Sequence, residues 1–100
     1  MSVLTLTKEN FDAEIASGDT LVDFWAAWCG PCRMQSPVVD SFAENGSGVK
    51  VGKVNTDEQA ALAQRFGIMG IPTLIAFRDG KEIGRKVGLS PIEEIEAMFR

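Results

Sequence analysis

The chain contains no histidine and no tyrosine, and only two of its 100 residues are cysteine. Without imidazole, a Cys–His nucleophilic pair is impossible, and so is any zinc site built on histidine. Two thiolates cannot by themselves close a tetrahedral metal site, so a structural metal would require two copies pooling four cysteines around an ion or an iron–sulfur cluster. That reading stays formally open beside a dithiol. No apolar run approaches the roughly eighteen residues needed to span a bilayer. The first ten residues, with Lys8 preceded by polar positions, lack a basic segment followed by a long apolar one, so no secretory signal is visible and a cytoplasmic protein is expected. Positive charge is also scarce: net charge is −4, and the basic residues are scattered. Electrostatic binding to nucleic acid or to an anionic membrane is therefore not expected.

What remains is ordinary for a soluble globular chain, with 45% hydrophobic and 24% charged residues. A length of 100 leaves room for one core, so residues 1–100 read as a single domain. Protein partners and a monomeric state are the expectation.

Apolar periodicity gives an alternating order of elements. Val3 to Leu6 reads as a short strand, and Thr7 as the N-cap of a helix running to about Ser17, with Leu6 and Phe11 at the spacing of a hydrophobic staple. Thr20 to Ala26 is apolar almost throughout, the pattern of a central strand buried on both faces. A second helix is expected over roughly Cys32 to Glu44, ending at Asn45-Gly46-Ser47-Gly48; Pro37 inside it must remove one backbone hydrogen bond. Val49 to Asn55 reads as a strand, and Thr56 with Gln59 as the capping box of a helix through Phe66. Thr73 to Phe77 and Glu82 to Val87 flank Asp79-Gly80, a two-residue hairpin signal. Ser90 reads as the cap of a last helix with Pro91 at its first position. This order implies an α/β fold with parallel crossovers through the first three strands and an antiparallel hairpin added to the same sheet.

The cysteines lie in Trp28-Cys29-Gly30-Pro31-Cys32, just after the buried strand. Two cysteines placed at random would fall three apart about one time in fifty, so the spacing favours a paired thiol site. In sheets of this kind, reaction sites gather beyond the carboxyl ends of the parallel strands, where this motif sits. At a helix entry, unpaired backbone N–H groups and the positive end of the helix dipole favour thiolate, which assigns Cys29 as nucleophile. Cys32, one turn on and more enclosed, is placed to resolve a mixed disulfide on Cys29. Gly30 and Pro31 shape the tight entry, and Pro31 lacks only an N–H that the first turn would not use. Two inert core cysteines are the bland alternative.

Asp23 stands in the middle of the most buried strand. Burial raises a carboxylate's pKa, so it can act as a proton acceptor for Cys32; equally, it can be a partly exposed or hydrogen-bonded residue at a strand end. Lys53 is either its charge partner or a lysine reaching solvent. For Ile71–Pro72 the sequence alone favours trans, since only about 5–6% of X–Pro bonds in folded proteins are cis.

Trp25-Ala26-Ala27-Trp28-Cys29-Gly30-Pro31-Cys32-Arg33-Met34 resembles the active site of the thioredoxin family. Asp23-Phe24, Pro37, Lys53-Val54-Asn55 with Asp57, Gly70-Ile71-Pro72-Thr73 and Lys86-Val87-Gly88 follow the family's motifs in order over nearly the whole chain. The resemblance implies a thioredoxin fold, a central five-stranded mixed sheet flanked by four helices. It implies a cis bond before Pro72 opposite Cys29, and Asp23 as a buried relay for the proton of Cys32, through water, with Lys53 nearby. It also implies that Trp28, Gly70, Ile71, Pro72 and Gly88 form a flat apolar patch for substrate protein, with Met69 beside it. Ala27, Gln35 and the short turn Gly46 to Gly48 depart from the family pattern; Gln35 falls where an apolar residue is usual.

Gly-Pro between the cysteines resembles the reducing branch of the family. The implied activity is a protein-disulfide reductase, an electron carrier using the reversible Cys29–Cys32 dithiol/disulfide with no other cofactor, recharged by a thioredoxin reductase. A redox-indifferent binding module using the same patch, and an oxidase or isomerase, are the competing functions.

Overall fold

A computed structural model describes residues 2–100. Five strands form one mixed sheet in the order β1-β3-β2-β4-β5: β1 Leu4–Thr5, β2 Asp19–Trp25, β3 Lys50–Asn55, β4 Thr73–Arg78 and β5 Lys81–Val87. Both neighbours of β3 are parallel to it, while β4 runs antiparallel to β2 and to β5. Helices α1 Phe11–Ile15, α2 Gly30–Glu44, α3 Ala60–Arg65 and α4 Ile92–Ala97 fill the connections. The five-stranded sheet with four helices is the architecture that the family resemblance implies.

Side chains alternate between faces along a strand, and β2 divides its residues accordingly. Val22 and Phe24 join the core under α1 and α3, with Phe11, Ile15, Leu62 and Phe77. Leu21 joins the opposite core, with Val39 and Phe42 of α2 and Ile95 of α4. Because both faces are covered, the strand reads as a continuous apolar run. Asp23 shares the parity of Leu21, so its side chain points to the α2 face. Lys53 shares the parity of Val51 on β3 and pairs in register with Asp23. These two alternations put a carboxylate and an ammonium side by side beneath the helix that carries the cysteines.

The Asp79-Gly80 turn forms as expected, with φ of 51° and 83°, the left-handed pair that a two-residue hairpin needs. Ile71–Pro72 is cis.

Several expected boundaries move. The second helix begins at Gly30, with Cys29 itself as N-cap, two residues before its expected start. The first helix stops at Ile15 and starts after a turn in which the Asn10 side chain accepts the Thr7 N–H at 2.7 Å, so Asn10, and not Thr7, precedes the regular helix. The capping box at Thr56 and Gln59 does not form. Thr56 Oγ1 donates to the Trp25 carbonyl at 3.1 Å, Gln59 Oε1 accepts from the Lys8 N–H at 3.0 Å, and Asn55 Oδ1 caps the turn at Asp57 instead, at 2.9 Å. Ser90 does not cap the last helix: its hydroxyl turns to the Gly88 carbonyl, and Pro91 occupies the N-cap position.

Candidate active site

Chain direction brings the site together. Strand β2 ends at Trp25, a short turn carries Trp28, and α2 opens on the cysteines, so the pair stands at the carboxyl edge of the sheet. Cys29 and Cys32 are joined as a disulfide, with Cα atoms 5.2 Å apart. The Cys32 N–H donates to Cys29 Sγ at 3.2 Å, which makes that sulfur the capping atom of a fifteen-residue helix. A sulfur in that position faces the partial positive charge of the helix start, which stabilises it as thiolate once the bond is reduced. Pro31 sits in the first turn, where its missing N–H costs no bond.

The two sulfurs face different surroundings. Cys29 Sγ lies 3.6 Å from the Ile71 carbonyl oxygen, beside cis Pro72. Cys32 lines a cavity of about 350 Å³ shared with Asp23, Trp25, Ala26, Ser36 and Lys53. In this oxidised state both cysteines are 3% exposed, so the greater openness expected for Cys29 is absent. The physical asymmetry is one of neighbours: Cys29 meets a backbone carbonyl, and Cys32 a mainly apolar cavity into which Asp23 and Lys53 bring charge.

Asp23 is 1% exposed, and among the described residues its Oδ1 has no hydrogen-bond partner. Burial pushes its pKa from 3.8 to about 7; the charge of Lys53 opposes this rise and that of Asp40 adds to it. Asp23 is therefore neither partly exposed nor, at Oδ1, hydrogen-bonded. Water occupies about 30 Å³ per molecule in the liquid, so the cavity has room for a relay between Asp23 and Cys32.

Lys53 lines the same cavity but does not pair directly with Asp23. Its ammonium donates to Ser36 Oγ at 2.6 Å and meets Asp40 Oδ1 at 3.0 Å. Neither Ser36 nor Asp40 was anticipated from the sequence, although a signal was present. Cys32, Ser36 and Asp40 recur at four-residue intervals and therefore share one side of α2.

Around the pair lies an apolar surface. Trp28 is 70% exposed and anchored by its indole N–H to Asp57 Oδ2 at 3.1 Å, while Met69 is almost fully exposed. Gly70 packs close to Val87, and Gly88, at φ 91°, turns its N–H to the Pro72 carbonyl at 2.8 Å. A side chain at Gly88 would strain that turn. Val87 and Leu89, both exposed, extend the patch beyond the residues singled out from sequence. No cluster of His, Cys, Asp and Glu able to hold a metal occurs among the described residues, and none of their helices is long and apolar enough to cross a membrane.

Comparison with known proteins agrees with this geometry. The family model described as thioredoxin matches residues 2–100. A thioredoxin of Chlamydia caviae is 51% identical over 87 residues, covering 87% of this chain and 85% of that protein. One of Alicyclobacillus acidocaldarius is 50% identical over 101 aligned positions, covering 98% and 95%. Among solved structures, a mutant thioredoxin of Halobacterium salinarum superposes with a TM-score of 0.91 at 35% identity, covering 97% of this chain and 87% of that one. The thioredoxin of Malassezia sympodialis gives 0.88 at 33%, covering 99% and 92%. A redox-active Cys29–Cys32 disulfide at the mouth of α2, on a mixed five-stranded sheet, therefore places the chain in the thioredoxin family as a protein-disulfide oxidoreductase.

Proposed function

We propose that the protein works in the reducing direction, as a general protein-disulfide reductase. The observation that carries this reading is the Cys29–Cys32 disulfide set in the complete Trp28-Cys29-Gly30-Pro31-Cys32 motif, where Gly-Pro, with no histidine between the cysteines, leaves the reduced thiolate without the added stabilisation that makes an oxidant. In the reduced protein Cys29 thiolate attacks one sulfur of a substrate disulfide, forming a mixed disulfide and expelling the other sulfur as thiolate. Cys32 loses its proton to Asp23 through water in the shared cavity and attacks Cys29 Sγ. The Cys29–Cys32 disulfide forms, and the substrate leaves as a dithiol after taking up protons. Two electrons have passed from the protein to the substrate; a thioredoxin reductase restores them. Lys53 modulates Asp23 by its charge, and Gly30 and Pro31 hold the helix entry.

Substrate protein docks as an extended segment on Trp28, Met69, Gly70, Ile71, Pro72 and Gly88, with the Ile71 backbone as a pairing edge beside the scissile bond. The protein acts as a monomer in the cytoplasm, in electron transport to protein disulfides. A redox-indifferent binding role is not favoured, because the disulfide is intact and set in the family's active-site motif.

The test is insulin reduction by dithiothreitol together with Cys32→Ser, which leaves Cys29 without its resolving partner. The wild type is expected to accelerate precipitation of the insulin B chain, and Cys32→Ser to accumulate mixed disulfides through Cys29. No acceleration, or no adduct that dithiothreitol releases, refutes the reading.

A further inference from the structure

Gln35 lies on α2 three residues beyond Cys32 and is completely buried. A buried primary amide must find partners for its carbonyl and its N–H groups or lose their hydration without return. Gln35 spends both ends on one residue. Its Oε1 accepts the Ser90 N–H at 2.7 Å, and its Nε2 donates to the Ser90 carbonyl at 3.0 Å. The side chain thus does for Ser90 what a neighbouring strand would do, pairing both backbone groups of a residue that belongs to no strand or helix.

Ser90 lies toward the α4 end of the short link, residues 88–91, between β5 and α4. At the other end of that link, Gly88 donates its N–H to the Pro72 carbonyl. Residues 88–90 are therefore held between two anchors, the cis-proline loop and the cysteine-bearing helix. Between the anchors Leu89 is half-exposed, and Val87 just before them is 67% exposed. Gln35 is thus invisible from the surface yet fixes one wall of the apolar patch relative to the dithiol.

We propose that Gln35 is a positioning residue for protein substrates, setting residues 88–90 as a specificity-determining wall of the docking surface. The inference rests on the reading of that surface as the substrate face. An apolar residue at position 35 fills the same space but leaves the Ser90 N–H and C=O unpaired, and the wall is then free to shift. A protein substrate loses affinity in proportion to the fraction of time the wall is correctly placed, so a fall to a tenth raises KM about tenfold. A small disulfide that touches only the sulfurs does not depend on the wall.

The test uses Gln35→Met, which keeps length and flexibility and removes both hydrogen bonds. With dithiothreitol as reductant, so that no reductase contact enters, KM for insulin is expected to rise about tenfold with kcat unchanged. The rate with 5,5′-dithiobis(2-nitrobenzoate) and the Cys29–Cys32 potential should stay at wild-type values, while the Ser90 amide exchanges hydrogen faster. An unchanged insulin KM overturns the proposal. A parallel loss with both disulfides, accompanied by a shifted potential, also overturns it and makes Gln35 a support of the dithiol itself. Should Gln35→Met fail to fold, Leu89→Ser probes the same wall from its exposed side; a KM for insulin equal to wild type again overturns the proposal. Failure of the proposed function would show already in the wild type, as absence of insulin reduction, and is thereby told apart from failure of this inference.

Discussion

Replacing Asp23 by Asn should abolish a pH dependence of folding stability that a single buried carboxylate imposes. In the native protein burial raises the Asp23 pKa to about 7, whereas the unfolded chain titrates near the ordinary value of 3.8. Between these values the native state holds a proton that the unfolded chain has released, so stability falls as pH rises through the window. The stabilisation present below pH about 4 is progressively lost and is gone above about 7. Each unit is worth about 1.4 kcal/mol, and three units give a ceiling of about 4 kcal/mol. Water entering the shared cavity lowers that ceiling. Asparagine keeps the size of the side chain and never ionises. For the oxidised proteins, the stability difference between Asp23→Asn and wild type should therefore be smallest at pH 4. It should climb in favour of Asn by up to 1.4 kcal/mol or so per unit and level off above pH 7. The assay is urea unfolding followed by tryptophan fluorescence at fixed ionic strength from pH 4 to 9. Every other carboxylate is common to both proteins and drops out of the difference. A difference that stays flat across the range would show that Asp23 does not titrate near neutrality, and would remove it as the proton acceptor for Cys32.

How far the fold could be read from residues depended on whether the partners were near in sequence. Strand β2 was legible because burial on both faces leaves an unbroken apolar run, and the hairpin because Asp79-Gly80 meets the φ requirement of its own turn. Helix caps were less legible because their polar groups are claimed from far away. Gln59 serves Lys8 and Thr56 serves Trp25, contacts that span 51 and 31 positions. Capping patterns presume that a short polar side chain bonds locally, and here tertiary partners win. The same logic applies in the site. Cys29, Cys32 and Asp23 announced themselves by type and position, whereas the partnership of Lys53 with Asp40 depended on which face of α2 packs over β3. Gln35 departs from the family pattern, but its bond to Ser90 joins a helix to a link that no periodicity locates.

Packing and charge supply two further tests. A Cβ at Gly52 would overlap the side chain of Leu6, which is itself 1% exposed and confined by the core under α1 and α3. Gly52→Ala is therefore expected to destabilise by about 1–3 kcal/mol, read as a lower urea midpoint; an unchanged midpoint would mean that β1 yields at no cost. The second test concerns the charges around Asp23. Lys53 stands between two carboxylates, and its ammonium is engaged by Asp40 at 3.0 Å and by Ser36 at 2.6 Å. Asp40→Asn removes a negative neighbour that holds the Asp23 pKa up, and it also frees Lys53 to turn toward Asp23, so both effects lower the titration midpoint. Lys53→Met removes the cation that holds the midpoint down and must raise it. The Asp23 carboxyl carbon followed by NMR over pH 4 to 10 reads both midpoints directly. Opposite displacements around the wild-type value follow only if Asp40 and Lys53 act on Asp23 through their charges. Displacement in the same direction would mean that repacking of α2 over β3, and not charge, sets the proton affinity of the buried carboxylate.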